Sequence, residues 1–191
     1  MGIVKALSLN CRVNLPGLAA AFLLFYTALS NKPWWTLTGG LGGQPTFSAE
    51  VSPFAVAVEM LGRPVAVPII PYITLAARFS MLLAASAMLA GSLLANKPWS
   101  KPMMSTRGFA LPILFLLGLF AGLQLAGSYA GASLPLTGKF NLKYTVTYGE
   151  STITVTTPTV AALTQEYWIA LTAGATSILA KAIHGKISHH E

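Results

Sequence analysis

The sequence predicts a mainly α-helical membrane protein: a four-transmembrane-helix bundle capped on one side by two β-hairpins that form a small outer sheet. Three observations predict it. Hydrophobic residues make up 54% of the 191 positions and charged residues only 9%, far below the roughly 25% charged content of soluble domains. Four apolar stretches approach the roughly 20 residues that a helix needs to cross hydrocarbon. The two longest connections between them alternate with the period of a strand. Asp is absent altogether, and so few charges cannot cover a water-facing surface.

The first apolar stretch runs from Leu15 to Ser30. Lys5 and Arg12 precede it, and Ala28-Leu29-Ser30 has the small residues of a signal-peptide cleavage site. It is read as a retained span because an internal repeat needs it as the counterpart of the third stretch. Trp34, Trp35 and the run Gly39-Gly40-Leu41-Gly42-Gly43 follow, and the glycines predict a flexible or tightly turning segment. Phe54 to Val67 then reads as two alternating runs around Gly62, a β-hairpin. The second apolar stretch covers Tyr72–Ala95 and the third Phe109–Gly131. Leu142 to Val155 is a second hairpin around Gly149, and the fourth stretch covers Thr159–Ile183. An isolated hairpin is marginal, so the two are expected to pair or pack as one outer sheet.

The halves 1–95 and 96–191 each read helix, outer hairpin, proline, helix. Val56 maps onto Tyr144, Val58 onto Val146, Val65 onto Ile153, Val67 onto Val155 and Arg78 onto Glu166, a constant offset of 88 residues that reads as an internal duplication. Asn31-Lys32-Pro33-Trp34 recurs as Asn96-Lys97-Pro98-Trp99 out of phase with that offset, and is read as a helix stop followed by an interfacial aromatic. One side of the membrane holds Lys5, Arg12, Lys97, Lys101, Arg107, Lys181 and Lys186 against Glu191 alone. The other holds Lys32, Arg63, Lys139 and Lys143 against Glu50, Glu59 and Glu150. The positive-inside rule makes the first side cytoplasmic, with both termini inside and the hairpins outside the cell membrane. The net charge of +7 is explained by this asymmetry, and no nucleic acid is expected as partner.

Arg78 and Glu166 are the charges inside the apolar stretches. Arg78 follows Pro71 by seven residues and Glu166 follows Pro158 by eight, which places both roughly 10 Å inside their helices if the prolines mark helix starts. A charge in hydrocarbon costs at least about 2.5–3.5 kcal/mol, so a partner or a cavity is expected. The sharpest expectation is that the two face each other as an intramembrane ion pair. Alternatives are an Arg78 that snorkels to headgroups, or a proton, quinone or transport site built from both.

Small residues supply candidate packing faces: Gly118 with Gly122, Gly127 with Gly131, Ala87 with Gly91, and Ala170 with Gly174. Internal packing is the expected use and a partner helix the alternative. Gln124 is the most polar uncharged group of the third stretch. Trp34, Trp35, Trp99, Tyr167 and Trp168 are expected as interface anchors. His184, His189 and His190 fall beyond the fourth stretch and read as a solvated tail.

No metal, cofactor or catalytic set is predicted. The single Cys11 excludes an internal disulfide. No phosphate-cradling glycine loop occurs, and without Asp the usual Ser-His-Asp triad cannot be built. The expected function is therefore a non-catalytic integral membrane subunit of a larger complex. Its partners would be the lipid bilayer and other membrane subunits or copies of itself, with the outer β layer for docking. The alternatives are a quinone-linked redox subunit and a small oligomeric transporter or channel.

Overall fold

The structure, a computed structural model, describes residues 13–41, 44–66, 68–104, 107–148 and 151–188. The elements in order are α1 (Leu15–Leu29), β1 (Trp35–Leu41), β2 (Gln44–Ser52), β3 (Ala55–Met60), β4 (Arg63–Pro64), α2 (Ile70–Leu93), the single turn α3 (Ser100–Met103), α4 (Arg107–Ala130), β5 (Gly138–Tyr148), β6 (Ser151–Leu163) and α5 (Gln165–Ser188). The fold is mixed α/β, with four long helices and one six-stranded antiparallel sheet in the order β4-β3-β2-β1-β6-β5.

Local chemistry sets the helix boundaries. The Asn14 side chain caps α1 by accepting from the Gly17 amide at 3.0 Å, and prolines occupy the first turns of α1 and α2, where no intrahelical N–H is lost. Gly131, at φ 62°, ends α4, and the Ala132 amide donates back to the Gly127 carbonyl at 2.9 Å. This is the left-handed helix terminator that glycine favours. Gly127 and Gly131 thus close a helix, which corrects the expectation that they pack one helix on another.

The sheet has six strands where two hairpins were expected. Both hairpins exist and share the sheet, but they lie at its two opposite edges. The glycine run contributes a strand instead of a loop: β1 continues to Leu41 with a register shift at Gly39/Gly40. Gly39 is needed there because a Cβ would run into the Phe47 ring and lie 2.9 Å from Thr159 Oγ1. Gly42, Gly43 and the turn at Gly149 lie outside the described residues, as does Cys11.

The fourth apolar stretch is corrected as well. Thr159–Leu163 belongs to β6, not to a helix; it pairs with β1 along its length and with β5 over Thr159–Ala161. Pro158 is not a helix start. It sits in β6 opposite Asn141, one residue beyond the reach of β1, where a missing N–H is tolerated at a free edge. Each half keeps the order helix, strands, helix. The 88-residue offset nevertheless superposes β3 on β5, which occupy non-equivalent places in the sheet.

The two-residue turn between β3 and β4 holds Leu61 at φ 52° and Gly62 at φ 72°. That is the primed turn whose first position prefers Asn. Leu61 is exposed, so Leu61→Asn is expected to stabilise the fold by about 0.5–1 kcal/mol through relief of left-handed strain. Leu61→Val should shift the unfolding midpoint the other way.

Among the helices, α1 packs against both α2 and α5, and α4 packs against α5, whereas α2 and α4 barely meet. One core joins Leu24, Ala28, Met81, Ala85, Ala170 and Ala173 to Trp34, Phe54 and Tyr167 at the sheet end of the bundle. A second lies on the sheet face, where Trp35, Leu37 and Ala161 meet Leu123 of α4.

Two helices, α2 and the stretch Ser100–Tyr129 that holds α4, are long and apolar enough to cross a membrane by length and composition, whereas α1, with 15 residues, is shorter. The expected bundle of four spans is thus narrowed to two qualifying helices among the described residues.

Candidate functional site

The sheet end of the bundle carries the charges singled out in the sequence, but it does not pair them with each other. Because β6 runs to Leu163, Glu166 is only the second residue of α5, in its first turn, where the helix dipole favours an anion. Arg78 lies eight residues into α2, about 12 Å from its start. Glu166 is 5% exposed. Its Oε1 accepts from the Tyr26 hydroxyl at 3.0 Å and lies 3.4 Å from Lys32 Nζ. Arg78 donates from Nη2 to Asn31 Oδ1 at 2.8 Å and to the Phe54 carbonyl at 3.2 Å. The face-to-face ion pair is therefore corrected to two separate polar contacts. Its premise, matching depth after two helix-starting prolines, fails at Pro158. Glu166 Oε2 and Trp34 Nε1 are buried there without a partner among the described residues.

The aromatic residues are also placed differently. Trp34, Trp35 and Tyr167 are 0%, 2% and 3% exposed, and so are core residues and not anchors at a membrane interface. Trp34 packs edge-on against Phe54, Phe115 and Tyr167 at centroid separations of 5.3–6.2 Å. It fills the seam where the sheet closes over the helices. Trp99 and Trp168 are exposed.

Small residues divide by role. A Cβ on Gly174 would lie 2.6 Å from the Phe109 Cα and 2.9 Å from the Gly108 carbonyl oxygen, so the α4–α5 crossing is a backbone-to-backbone contact; Ala170 is buried one turn away. Gly91 receives α3 through Ser100 and Met103, and Ala87 is half-buried nearby. Gly118 and Gly122 face open space. They line a crevice of about 530 Å³ between α2 and α4, walled by Ile73 and Ala77 on one side and by Leu111 to Leu123 on the other, with Trp35, Val51 and Pro53 as its floor. A second section of about 210 Å³ continues it past Ala77, Ser80 and Ala84. Gln124 lies outside this crevice, in a separate depression with Gly127 and Ser128.

The far end of the bundle holds a polar cluster that the sequence reading missed. Asn14, Ser92, Ser100 and His184 are all buried, at 0–1% exposure. His184 is thus not part of a solvated tail; His189 and His190 lie outside the described residues. Asn14 Nδ2 donates to the Ala180 carbonyl at 2.9 Å and reaches His184 Nδ1 at 3.5 Å. Its backbone N–H donates to the Ser92 carbonyl at 2.9 Å. Ser100 Oγ lies 2.9 Å from His184 Nε2 and 2.6 Å from the Lys97 carbonyl.

Proton accounting decides what this cluster does. A carbonyl cannot donate, so the single Ser100 proton serves Lys97, and the serine must accept from His184 Nε2–H. His184 Nδ1 is then the acceptor for Asn14. Every group is satisfied with the imidazole neutral. The serine is not activated as a nucleophile, because its neighbouring ring nitrogen already carries a proton. The cluster is a clasp joining the start of α1, the end of α2, α3 and the end of α5. A helical spacing carried the signal: Ala173, Ser177, Ala180 and His184 are all buried and recur at three and four residues.

Among the described residues no three of His, Cys, Asp or Glu gather as a metal site. No protein-family model matches this chain, and no characterised protein matches it in sequence.

Proposed function

We propose that the chain is a non-catalytic integral membrane subunit of a larger membrane complex, in which the helices lie in lipid and the sheet forms an outer docking layer. One observation carries this reading. The apolar windows of α2 and of the Ser100–Tyr129 stretch are only 22% and 11% buried within the chain. A soluble protein hides such helices in its core, whereas here Phe79, Leu83, Leu114, Leu117, Phe120 and Leu125 are exposed. Lipid or partner helices must cover them. In this reading α1 and α5 complete the bundle, both termini are cytoplasmic and the sheet is extracytoplasmic.

Docking by the sheet is supported by its edge. β5 is an eleven-residue edge strand, and β6 has no β1 partner over Ser151–Pro158. The β5–β6 ribbon therefore projects past the sheet with backbone unpaired on both sides among the described residues. Free edges of this length invite strand addition. The separate partners of Arg78 and Glu166 give no support to a relay or transport path through that pair.

The test is purification in a gentle detergent with mass spectrometry of the associated chains. A stoichiometric partner lost on changing β5 backbone donors to proline supports the reading; a homo-oligomer with no partner overturns the subunit assignment. Topology is checked separately in a Cys11→Ser background. An impermeant thiol reagent should label Lys139→Cys but not Lys101→Cys in intact cells, and the reverse pattern would invert the orientation.

A further inference from the structure

We propose that Asn14, His184 and Ser100 form an acid-opened latch, in which a proton taken up at His184 Nδ1 releases the end of α5 from α1 and α3.

The closed latch accommodates one protonation state. His184 Nδ1 must accept, because the group facing it is the Asn14 amide N–H₂, with Nδ2 at 3.5 Å. A proton on Nδ1 sets two donors against each other. Flipping the Asn14 amide does not resolve the conflict. Its Oδ1 accepts from the Gly17 amide at 3.0 Å and its Nδ2 donates to the Ala180 carbonyl at 2.9 Å, so a flip breaks both bonds to make one. The Ala180 carbonyl cannot take the new proton either. Its lone pairs are occupied by Asn14 Nδ2 and by the helical N–H four residues on. On the other side of the ring, Nε2 is held by Ser100 Oγ at 2.9 Å, and the serine proton is committed to the Lys97 carbonyl at 2.6 Å. The charged imidazole thus has one donor more than its surroundings have acceptors.

Charge acts in the same direction. Lys101 on α3, Lys97 in the connection before it, and Lys181 and Lys186 on α5 are all cations, and α4 begins with Arg107. Neither α1 nor the part of α2 beyond Arg78 carries a charged residue. Glu166 is the one acidic residue on the described helices, and it sits at the opposite end of α5. A cation on His184, which is 1% exposed, would be buried among like charges with no carboxylate beside it among the described residues.

The part that moves is short. His184 lies four residues before the end of α5. Of Lys181 to His184 it alone is fully buried, and Lys181 and Ala182 are exposed. The core at the sheet end, built on Leu24, Trp34, Tyr167 and Ala170, contains no histidine, so opening is local to the far end of the bundle. The closed form holds a neutral ring, whereas in the open form the ring titrates near the ordinary value of about 6.5. The latch is therefore shut above that pH, and the ratio of open to closed rises about tenfold for each pH unit below it.

The test is distance measurement by electron paramagnetic resonance on the full chain in detergent. Spin labels are placed at Trp99→Cys and Ala182→Cys, both exposed positions, in a Cys11→Ser background. At pH 7.5 one narrow distance is expected. Towards pH 5 a longer, broader population should appear and disappear again on neutralisation. His184→Gln, which keeps an acceptor and a donor but cannot take a charge, should stay closed at both pH values. Distances that do not change on acidification, or a His184→Gln protein that opens as the wild type does, overturn the proposal. Tryptophan fluorescence separates local opening from acid unfolding. Trp34 and Trp35 are buried at the sheet end, and a red shift of their emission that tracks the distance change would also overturn it.

Discussion

Replacing Asn14 with alanine is expected to destabilise the protein by about 3–5 kcal/mol, the largest effect of any single polar substitution here. Three losses add. The α1 N-cap disappears, worth about 1 kcal/mol. His184 Nδ1 is left buried without a donor, at about 1–3 kcal/mol, and the Ala180 carbonyl, which keeps its helical donor within α5, loses its second hydrogen bond, at about 0.5–1.5 kcal/mol. For a chain of this size the unfolding midpoint should fall by roughly 10 °C, since each kcal/mol moves it about 2–4 °C. Asn14→Ser separates the contributions, because serine restores the cap but cannot reach across to Ala180 and His184. It should recover only about 1 kcal/mol. Thermal unfolding in detergent, followed by tryptophan fluorescence, measures both variants. An Asn14→Ala protein as stable as the parent would mean that the clasp is not formed.

The second large effect is expected at Gly174. Alanine there places a methyl 2.6 Å from the Phe109 Cα, and the obstacle is backbone, which cannot rotate aside. The α4–α5 crossing must open, at a cost of about 1–3 kcal/mol from overpacking, larger than the gain of up to about 1 kcal/mol in helix propensity. Leucine at the same place should prevent the crossing altogether. Gly118→Ala is the control. It lies on α4 with no neighbour in reach, so it should be neutral or slightly stabilising by the same propensity. If the two glycines respond alike, the packing argument for Gly174 is wrong.

How far the sequence could be read depended on which signals have a single structural meaning. Long apolar runs located α1, α2 and α4 to within a few residues, because no other element uses such a run. Alternation of Thr and Val located the second hairpin. Pro158 was ambiguous: proline suits both the first turn of a helix and the free edge of a strand, and only the partner strands decide between them. That one misreading moved Glu166 from deep in a helix to its first turn and created the apparent pairing with Arg78. The glycines of β1 were misread because their use, admitting the Phe47 ring, comes from a residue on another strand. Trp34 and Trp35 match the composition of a membrane interface, but the sheet covers them. Burial of that kind depends on the connection of β1 to β6, which local pattern does not encode.

The pairing of β1 with β6 has a consequence for how the protein is made. β1 pairs with β6 from far along the chain, and α1 packs against α5 from the other end of it. Asn14 likewise waits for a histidine 170 residues later. Loop closure over such distances is slow, so the early helices remain unlocked pieces until α5 is synthesised. β1 meanwhile exposes one raw edge to its surroundings. A folding intermediate held open at that edge is the species that a chaperone, a quality-control protease or an assembling partner would meet first, and its lifetime is set by the rate at which the last helix arrives.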